Sequence, residues 1–324
     1  MAKNKLKIGV LFGGKSAEHD VSVVSAKNII GALDKSKYQI YPIKVHRDGS
    51  FDLKSLKKVD FVFPVLHGPY GEDGSMQGLL KILKKPFVGP SVLGSAVGMD
   101  KDVMKRLFRD AKIPIGKFVV IRSVDEKIPF EKIQKILGPS VFVKPANMGS
   151  SVGINKVENK KDWDKALKDA FLYDTKVIVE ETIIGQEIEC SVIGNENIIV
   201  SALGEIVPKN DFYSYKAKYI AKDGAALIIP ARLPKAVTRK VQRIAAEVFK
   251  TLCCEGMGRV DFFVTKKGKI YVNEINTIPG FTEISMYPKL WEADGITTTK
   301  LLDRLIDLGL ERFEREQNLK TIVS

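Results

Sequence analysis

Three cysteines, Cys190, Cys253 and Cys254, are too few for a disulfide framework, and they offer no metal-type spacing. They read as small apolar packing residues, two of them adjacent in a predicted helix. Long hydrophobic runs are also missing, since none approaches the ~20 residues that span a bilayer. The N-terminal stretch MAKNKLKIGVLFGG places charge ahead of a short apolar run. That run passes into Gly-Gly and polar residues with no small-residue cleavage site, so it predicts a first β-strand, not a signal peptide, and a cytoplasmic protein. Acidic residues are in deficit: 39 Asp and Glu against 52 Lys and Arg leave a net charge of +13. The excess is scattered in short groups such as Lys57 and Lys58, Lys84 and Lys85, Lys160 and Lys161, with no basic stripe interleaved with aromatics. It predicts solvated faces and a pull on anionic small substrates, with neither nucleic acid nor membrane as partner.

The hydrophobic share of 44% and charged share of 28% are those of an ordinary globular protein, and 324 residues predict two or three domains. Residues 7–13, 38–45 and 60–66 are β-rich runs, with helical patterns near 17–33 and 74–83. That alternation predicts a parallel sheet covered on both faces. A further helix over 100–111 stops at Pro114. In the middle of the chain the pattern changes, and strands at 118–123, 141–146 and 176–183 with helices at 130–137 and 160–172 predict a small α+β module. From 186 onward come longer strands, an amphipathic helix at 234–253, a hairpin and C-terminal helices at 296–315.

The hairpin GRVDFFVTKKGKIYVNEINTIPG (258–280) carries the sharpest chemistry. A two-residue turn at Lys267 and Gly268 sets Asp261 opposite Glu274 and Arg259 opposite Asn276, all on one face. Facing carboxylates need a cation between them. Arg259 can serve in part, but two carboxylates and an amide oxygen on a rigid ladder are hard ligands suited to Mg²⁺. The bland alternative, a solvated polar face, is weakened because Phe262, Val264 and Tyr271 make the other face apolar. A bulge would shift the register by one residue and spoil the pairing.

Residues 9–16 satisfy G-x-x-x-x-G-K-S, the P-loop pattern, as a decoy. Val10, Leu11 and Phe12 read as the buried end of the first strand, which leaves Gly13 and Gly14 as its terminal turn. Glu18, at the turn-to-helix junction, suits an ammonium group better than a phosphate. A better phosphate candidate is the loop 149–153 after Lys144, where backbone amides, Ser150 and Ser151 can reach phosphate oxygens; a plain flexible loop is the even alternative. Lys101 reads by default as a solvated helix-start lysine. Glu180, Glu181 and Glu187 surround a turn where carboxylates can meet ribose hydroxyls. His67 opens a Gly-rich loop at a strand's carboxyl end; a lone histidine is more often structural.

In order along the chain, GGKSAEHDVSVVSA, HGPYGEDGSMQG, MDK, FVKPANMGSSVGI, VEETIIGQEIE, FYSYKAKY, GRVDFFV and NEINTIPGFTEISMYPKLW resemble the D-alanine–D-alanine ligases of the ATP-grasp superfamily. The resemblance implies an N-terminal α/β domain over 1–99, a central ATP-grasp lobe over 100–185 and a C-terminal lobe over 186–324. It implies ATP contacts from Lys101, Lys144, Glu180 and Glu187, with Ser150 and Ser151 over the phosphates. Two Mg²⁺, replaceable by Mn²⁺, would be held by Asp261, Glu274 and Asn276. Glu18 would bind the ammonium of the first D-alanine, with His67 near its carboxylate. Arg259 and the Gly280 amide would form the oxyanion site, and Ser285 would bind the second carboxylate. Lys218 and Tyr219 would close the site, Tyr219 turned towards Glu18 and Ser150. A homodimer is also implied. Relatives with D-lactate or D-serine as second substrate depart from tyrosine at or near the position of Tyr219; its presence here favours D-alanine. The open alternatives are those two acceptors, a binding module without catalysis, and a nucleic-acid-binding protein.

Overall fold

The computed structural model describes residues 5–123, 125–126, 128–208 and 225–320. Its first sheet is β1 (Leu6–Gly13) flanked in parallel by β2 (Tyr38–Val45) and β3 (Phe61–Val65), in the order β2-β1-β3. Pro42 and Pro64 fall on the two outer strands, where a missing N–H costs the ladder least. Apolar residues cover both faces of this sheet. On one face Ile8, Val10, Phe61 and Phe63 meet α1 (His19–Ala32) together with α9 (Met286–Ala293) and α10 (Thr298–Gln317). On the other, Leu11, Val62 and Leu66 meet α2 (Leu53–Lys57) and α3 (Ser75–Ile82).

Next come α4 (Val92–Met99) and α5 (Lys101–Asp110). The Gly/Ser-rich 89–98 stretch is thus mostly helix. The reason is tight packing: a Cβ on Gly94 would lie 2.8 Å from the Cys253 carbonyl oxygen, and one on Gly98 2.6 Å from the Thr277 methyl. The middle sheet has the antiparallel order β4-β7-β5-β6, from β4 (Phe118–Ile121), β5 (Val141–Pro145), β6 (Asn155–Val157) and β7 (Val177–Glu181). α6 (Phe130–Leu137) and α7 (Lys160–Phe171) cover one face, with Phe130 against Trp163 at 5.5 Å.

The last sheet, β10-β9-β8-β11-β12, is antiparallel. It comprises β8 (Gln186–Gly194), β9 (Ile199–Pro208), β10 (Ala225–Ile228), β11 (Gly256–Val264) and β12 (Ile270–Asn276). Its core takes Met104 and Phe108 from α5 and the apolar stripe of α8 (Lys235–Thr251). The helix predicted over 234–253 ends at Thr251, so Cys253 and Cys254 lie beyond it, Cys253 in the left-handed region at φ 52°. Cys190 and Cys254 are buried as packing residues and Cys253 is exposed. The short α2, α4 and α9 have no counterpart in the predicted elements. Among the described residues no helix is long and apolar enough to cross a membrane.

Candidate functional site

The decoy resolves at β1. Val10 and Leu11 are fully buried, and Gly13 and Gly14 adopt φ of 98° and 94° at its carboxyl end. A Cβ on Gly13 would lie 2.3 Å from the Val45 carbonyl oxygen, so only glycine fits this turn. The turn delivers Glu18 to the N-terminus of α1, almost fully buried. There its Oε1 accepts a hydrogen bond from Ser150 Oγ, so the 149–153 loop and the first sheet meet at one carboxylate. Ser150 and Ser151 both hold positive φ, 50° and 62°, which serine seldom adopts.

His67 leaves β3 and is buried. Its Nδ1 faces the Ile278 carbonyl at 3.1 Å, while its Nε2 has no partner among the described residues. Burial lowers its pKa, against a smaller upward pull from Glu18, so the ring is neutral near pH 7.

Between the middle and last sheets lies a cavity of about 470 Å³, and the predicted ATP contacts gather on it. Lys101 is buried, contrary to its default reading as a solvated lysine. Asp100 caps α5 and is gripped through both oxygens by Lys176 at 2.7 and 2.6 Å. That fixes Lys101, whose Nζ donates to the Met148 carbonyl at 2.7 Å and pairs with Glu274 at 3.2 Å. Glu180 sits between Lys144 and Lys105, each at 2.5 Å. Burial alone would raise its pKa; the two ammonium groups overcome this and hold it at about 2. Burial likewise opposes the charge of Lys144, but Glu180, Glu274 and Glu187 outweigh it and raise its pKa. Glu187 and Ser151 line the same cavity, as does Glu181, whose Oε1 accepts the Lys117 N–H at 2.8 Å. Lys105 was not among the predicted residues. It lies four residues after Lys101, so the two share a face of α5, which the structure buries.

The hairpin pairs Asp261 with Glu274 and Arg259 with Asn276, as predicted, though by a different route. The turn holds three residues: Thr265 accepts from Gly268 N–H at 2.8 Å and donates its own N–H to Lys269 at 2.9 Å. Gly268 takes the left-handed position, φ 73°. That moves the ladder by one residue, and Phe263 faces Tyr271. A bulge after Asp261 then moves it back, with Asn273 as the extra residue, so the two displacements cancel. Tyr271, predicted for the apolar face, consequently shares a face with Phe263 and is half-buried.

Arg259 grips Asp261 through two bonds of 2.7 and 2.8 Å and pairs with Glu189 at 2.9 Å. Asn276 Nδ2 donates to Asp261 at 2.9 Å. Asp261, Glu274 and Asn276 carry oxygens of the kind a hard divalent ion takes, although among the described residues no group of three or more His, Cys, Asp or Glu gathers as a metal cage. In this arrangement Arg259 and Lys101 supply the positive charge that such an ion would bring. A second cavity, of about 130 Å³, is lined by Arg259, Asp261, Glu274, Gly280 and Ser285. Ser285 Oγ accepts the Thr282 N–H at 2.9 Å and would lie 2.9 Å from a Cβ on Gly280, so glycine admits it. Glu187, Phe263, Asn273 and Glu274 border both cavities. Lys218 and Tyr219 lie outside the described residues.

Sequence models described as D-ala D-ala ligase N-terminus and C-terminus match residues 7–57 with 50–90, and 107–307. A D-alanine–D-alanine ligase of Oceanobacillus iheyensis is 47% identical, over 98% of each chain. D-alanine–D-alanine ligase A of Escherichia coli K12 is 44% identical over 98% of this chain and 99% of its own. Among solved structures, the D-alanine-D-alanine ligase of Coxiella burnetii superposes with a TM-score of 0.86 at 38% identity, covering 97% of this chain and 96% of that one. A D-Ala:D-Ser ligase of Enterococcus faecalis superposes at 0.84 with 36% identity, covering 94% and 100%. Identity that runs the length of the chain, with both halves matched in order, means that the chain belongs to the D-alanine–D-alanine ligase family.

Proposed function

We propose that this chain uses ATP to join two D-alanines into D-alanyl-D-alanine through a D-alanyl phosphate, supplying peptidoglycan precursor synthesis in the cytoplasm. One observation carries the reading. Glu274 stands on the wall that the nucleotide-sized cavity shares with the Arg259–Gly280–Ser285 cavity, and its partner Asp261 lines the second of these, the place where a γ-phosphoryl group would pass from one substrate to the other.

The part of each residue is the one that the resemblance implies, and its chemistry suits it. Lys101, Lys144, Glu180 and Glu187 hold ATP, with Ser150 and Ser151 and the loop amides on its phosphates. Glu18 takes the ammonium of the first D-alanine, and neutral His67 directs Nε2 at its carboxylate. That carboxylate attacks the γ-phosphorus, the bond to the β,γ-bridging oxygen breaks, and ADP leaves. Asp261, Glu274 and Asn276 would hold two Mg²⁺, or Mn²⁺ in their place, which would supply charge neutralisation to the phosphate oxygens. Ser285 and Lys218 take the carboxylate of the second D-alanine. Its amine, once deprotonated, attacks the acyl carbon, and Arg259 with the Gly280 N–H stabilises the oxyanion until inorganic phosphate is expelled. Tyr219 and Lys218 are assigned on the resemblance alone. Tyr219 would keep water from the acyl phosphate and favour D-alanine as acceptor. Residues 1–99, 100–185 and 186–324 form the three functional units, and two chains form a homodimer, which sedimentation analysis would test.

Phosphate release tests the reading, with ATP and Mg²⁺ plus D-alanine, L-alanine, D-serine or D-lactate, singly and in pairs, products identified by mass. D-alanine alone should give the dipeptide. Turnover confined to a mixed pair would move the acceptor to D-serine or D-lactate; none with any pair would overturn the enzyme reading.

A further inference from the structure

The segment 277–282 that follows β12 is held from outside its own sheet, by side chains of the first hundred residues. The Ile278 N–H donates to Glu72 Oε1 at 3.2 Å, and the Ile278 carbonyl meets His67 Nδ1 at 3.1 Å. The Phe281 N–H donates to Ser25 Oγ at 3.1 Å, and the Phe281 carbonyl accepts from Asn28 Nδ2 at 2.9 Å. Both residues that bracket the Pro279–Gly280 pair are thus tied through N–H and C=O alike. The Gly280 N–H itself makes no hydrogen bond among the described residues and borders the Arg259 cavity. Glu72 is the one side chain that spans two backbone donors here. Its Oε2 accepts the Gly68 N–H at 2.6 Å, so it ties the 67–72 loop to the Ile278 amide. Burial raises its pKa to about 8, with Glu18 adding to the rise. A carboxyl kept at that cost, with each oxygen committed to a backbone amide, serves to hold those amides.

We infer that Glu72 is a positioning residue for the amide-forming step: by bridging Gly68 and Ile278 it sets the aim of the Gly280 N–H at the oxyanion. The inference rests on the ligase reading above. In that step the amine nitrogen bonds to the acyl carbon, the carbonyl π-pair moves onto oxygen, and collapse breaks the carbon–oxygen bond to phosphate while a proton leaves the nitrogen. Phosphoryl transfer, which makes the acyl phosphate, does not use the Gly280 amide. Loss of aim therefore slows the second half-reaction and leaves acyl phosphate to water.

Glu72→Gln tests this, because an amide NH2 replaces one of the two acceptors. ADP and D-alanyl-D-alanine are measured together, with the melting temperature and hydroxylamine capture of the acyl phosphate. The parent should give one dipeptide per ADP. The variant should lose roughly 10- to 100-fold in dipeptide rate, with ADP in excess of dipeptide, more hydroxamate, and KM for ATP within about twofold. Ser25→Ala, which frees the amide on the other side of Gly280, should uncouple the products in the same sense and serves if the first variant fails to fold. One-to-one coupling in both folded variants, or equal loss of ADP and dipeptide, would overturn the inference while leaving the ligase reading intact. Absence of dipeptide from the parent would overturn that reading and this one with it.

Discussion

Glu180 lies within reach of two ammonium groups, and the second of them, Lys105, marks the limit of what pattern reading recovers at single positions. Glu180 and Lys144 were legible because each sits in a motif. Lys105 was not, since a lysine in the second turn of an amphipathic helix looks the same whether it faces water or a buried carboxylate. The Lys105→Met variant keeps the stem and removes the charge. Losing one charge-assisted contact of this kind should raise KM for ATP roughly tenfold or more, with KM for D-alanine unchanged, as steady-state kinetics would report. The pH sign follows from the depressed pKa. Burial opposes the ionised form and the lysines prevail, so ionised Glu180 adds stability above its unfolded value near 4.5, and this is lost as pH falls from there towards about 2. In the variant the pull is weaker, so that loss should be smaller and complete at a higher pH; acid titrations of the two proteins that superimpose would refute it.

At the scale of elements, the hairpin came out right through two compensating departures. The Lys267 and Gly268 signal marks a turn but does not distinguish two residues from three, and nothing in VNEIN announces a bulge. Bulges depend on what the strand packs against, which periodicity does not contain. The α4 helix was missed for a related reason. Its glycines serve close approach to Cys253 and Thr277, yet in sequence they look like turn residues. Two mutations test this account of the hairpin. Gly268→Ala strains a left-handed position where an added Cβ would meet only the Val237 methyl, at 3.8 Å, so it should cost about 1 kcal/mol and leave turnover intact. Deleting Asn273 removes the extra residue and leaves Asp261 opposite Glu274 in a regular ladder, so phosphate release should persist in the folded variant. Loss of phosphate release from a deletion variant that circular dichroism reports as folded would mean that catalysis needs the bulge as well as the pairing.

Across the whole molecule, the parallel first sheet and one antiparallel hairpin were legible from the spacing and composition of their strands, but the antiparallel order of the other strands and the partnership of the sheets were not. The first sheet buries one face against α9 and α10, at the far end of the chain, and hydrophobic pattern says that a face is buried without saying against what. Charge acts at the same scale. With +13 spread over the surface and an anionic nucleotide as substrate, kcat/KM for ATP should fall several-fold between ~20 and ~200 mM salt while kcat stays nearly level; a flat response would confine the electrostatics to the lysines in the cleft. The bond from Asn28 to the Phe281 carbonyl joins residues 253 positions apart. A ribosome adding ~5–20 residues per second takes roughly 13–50 s to cover that span. Throughout that interval Ser25 and Asn28 are already synthesised while the segment they hold does not yet exist, so a nascent chain can form its first sheet and α1 long before it can set the Pro279–Gly280 pair in place.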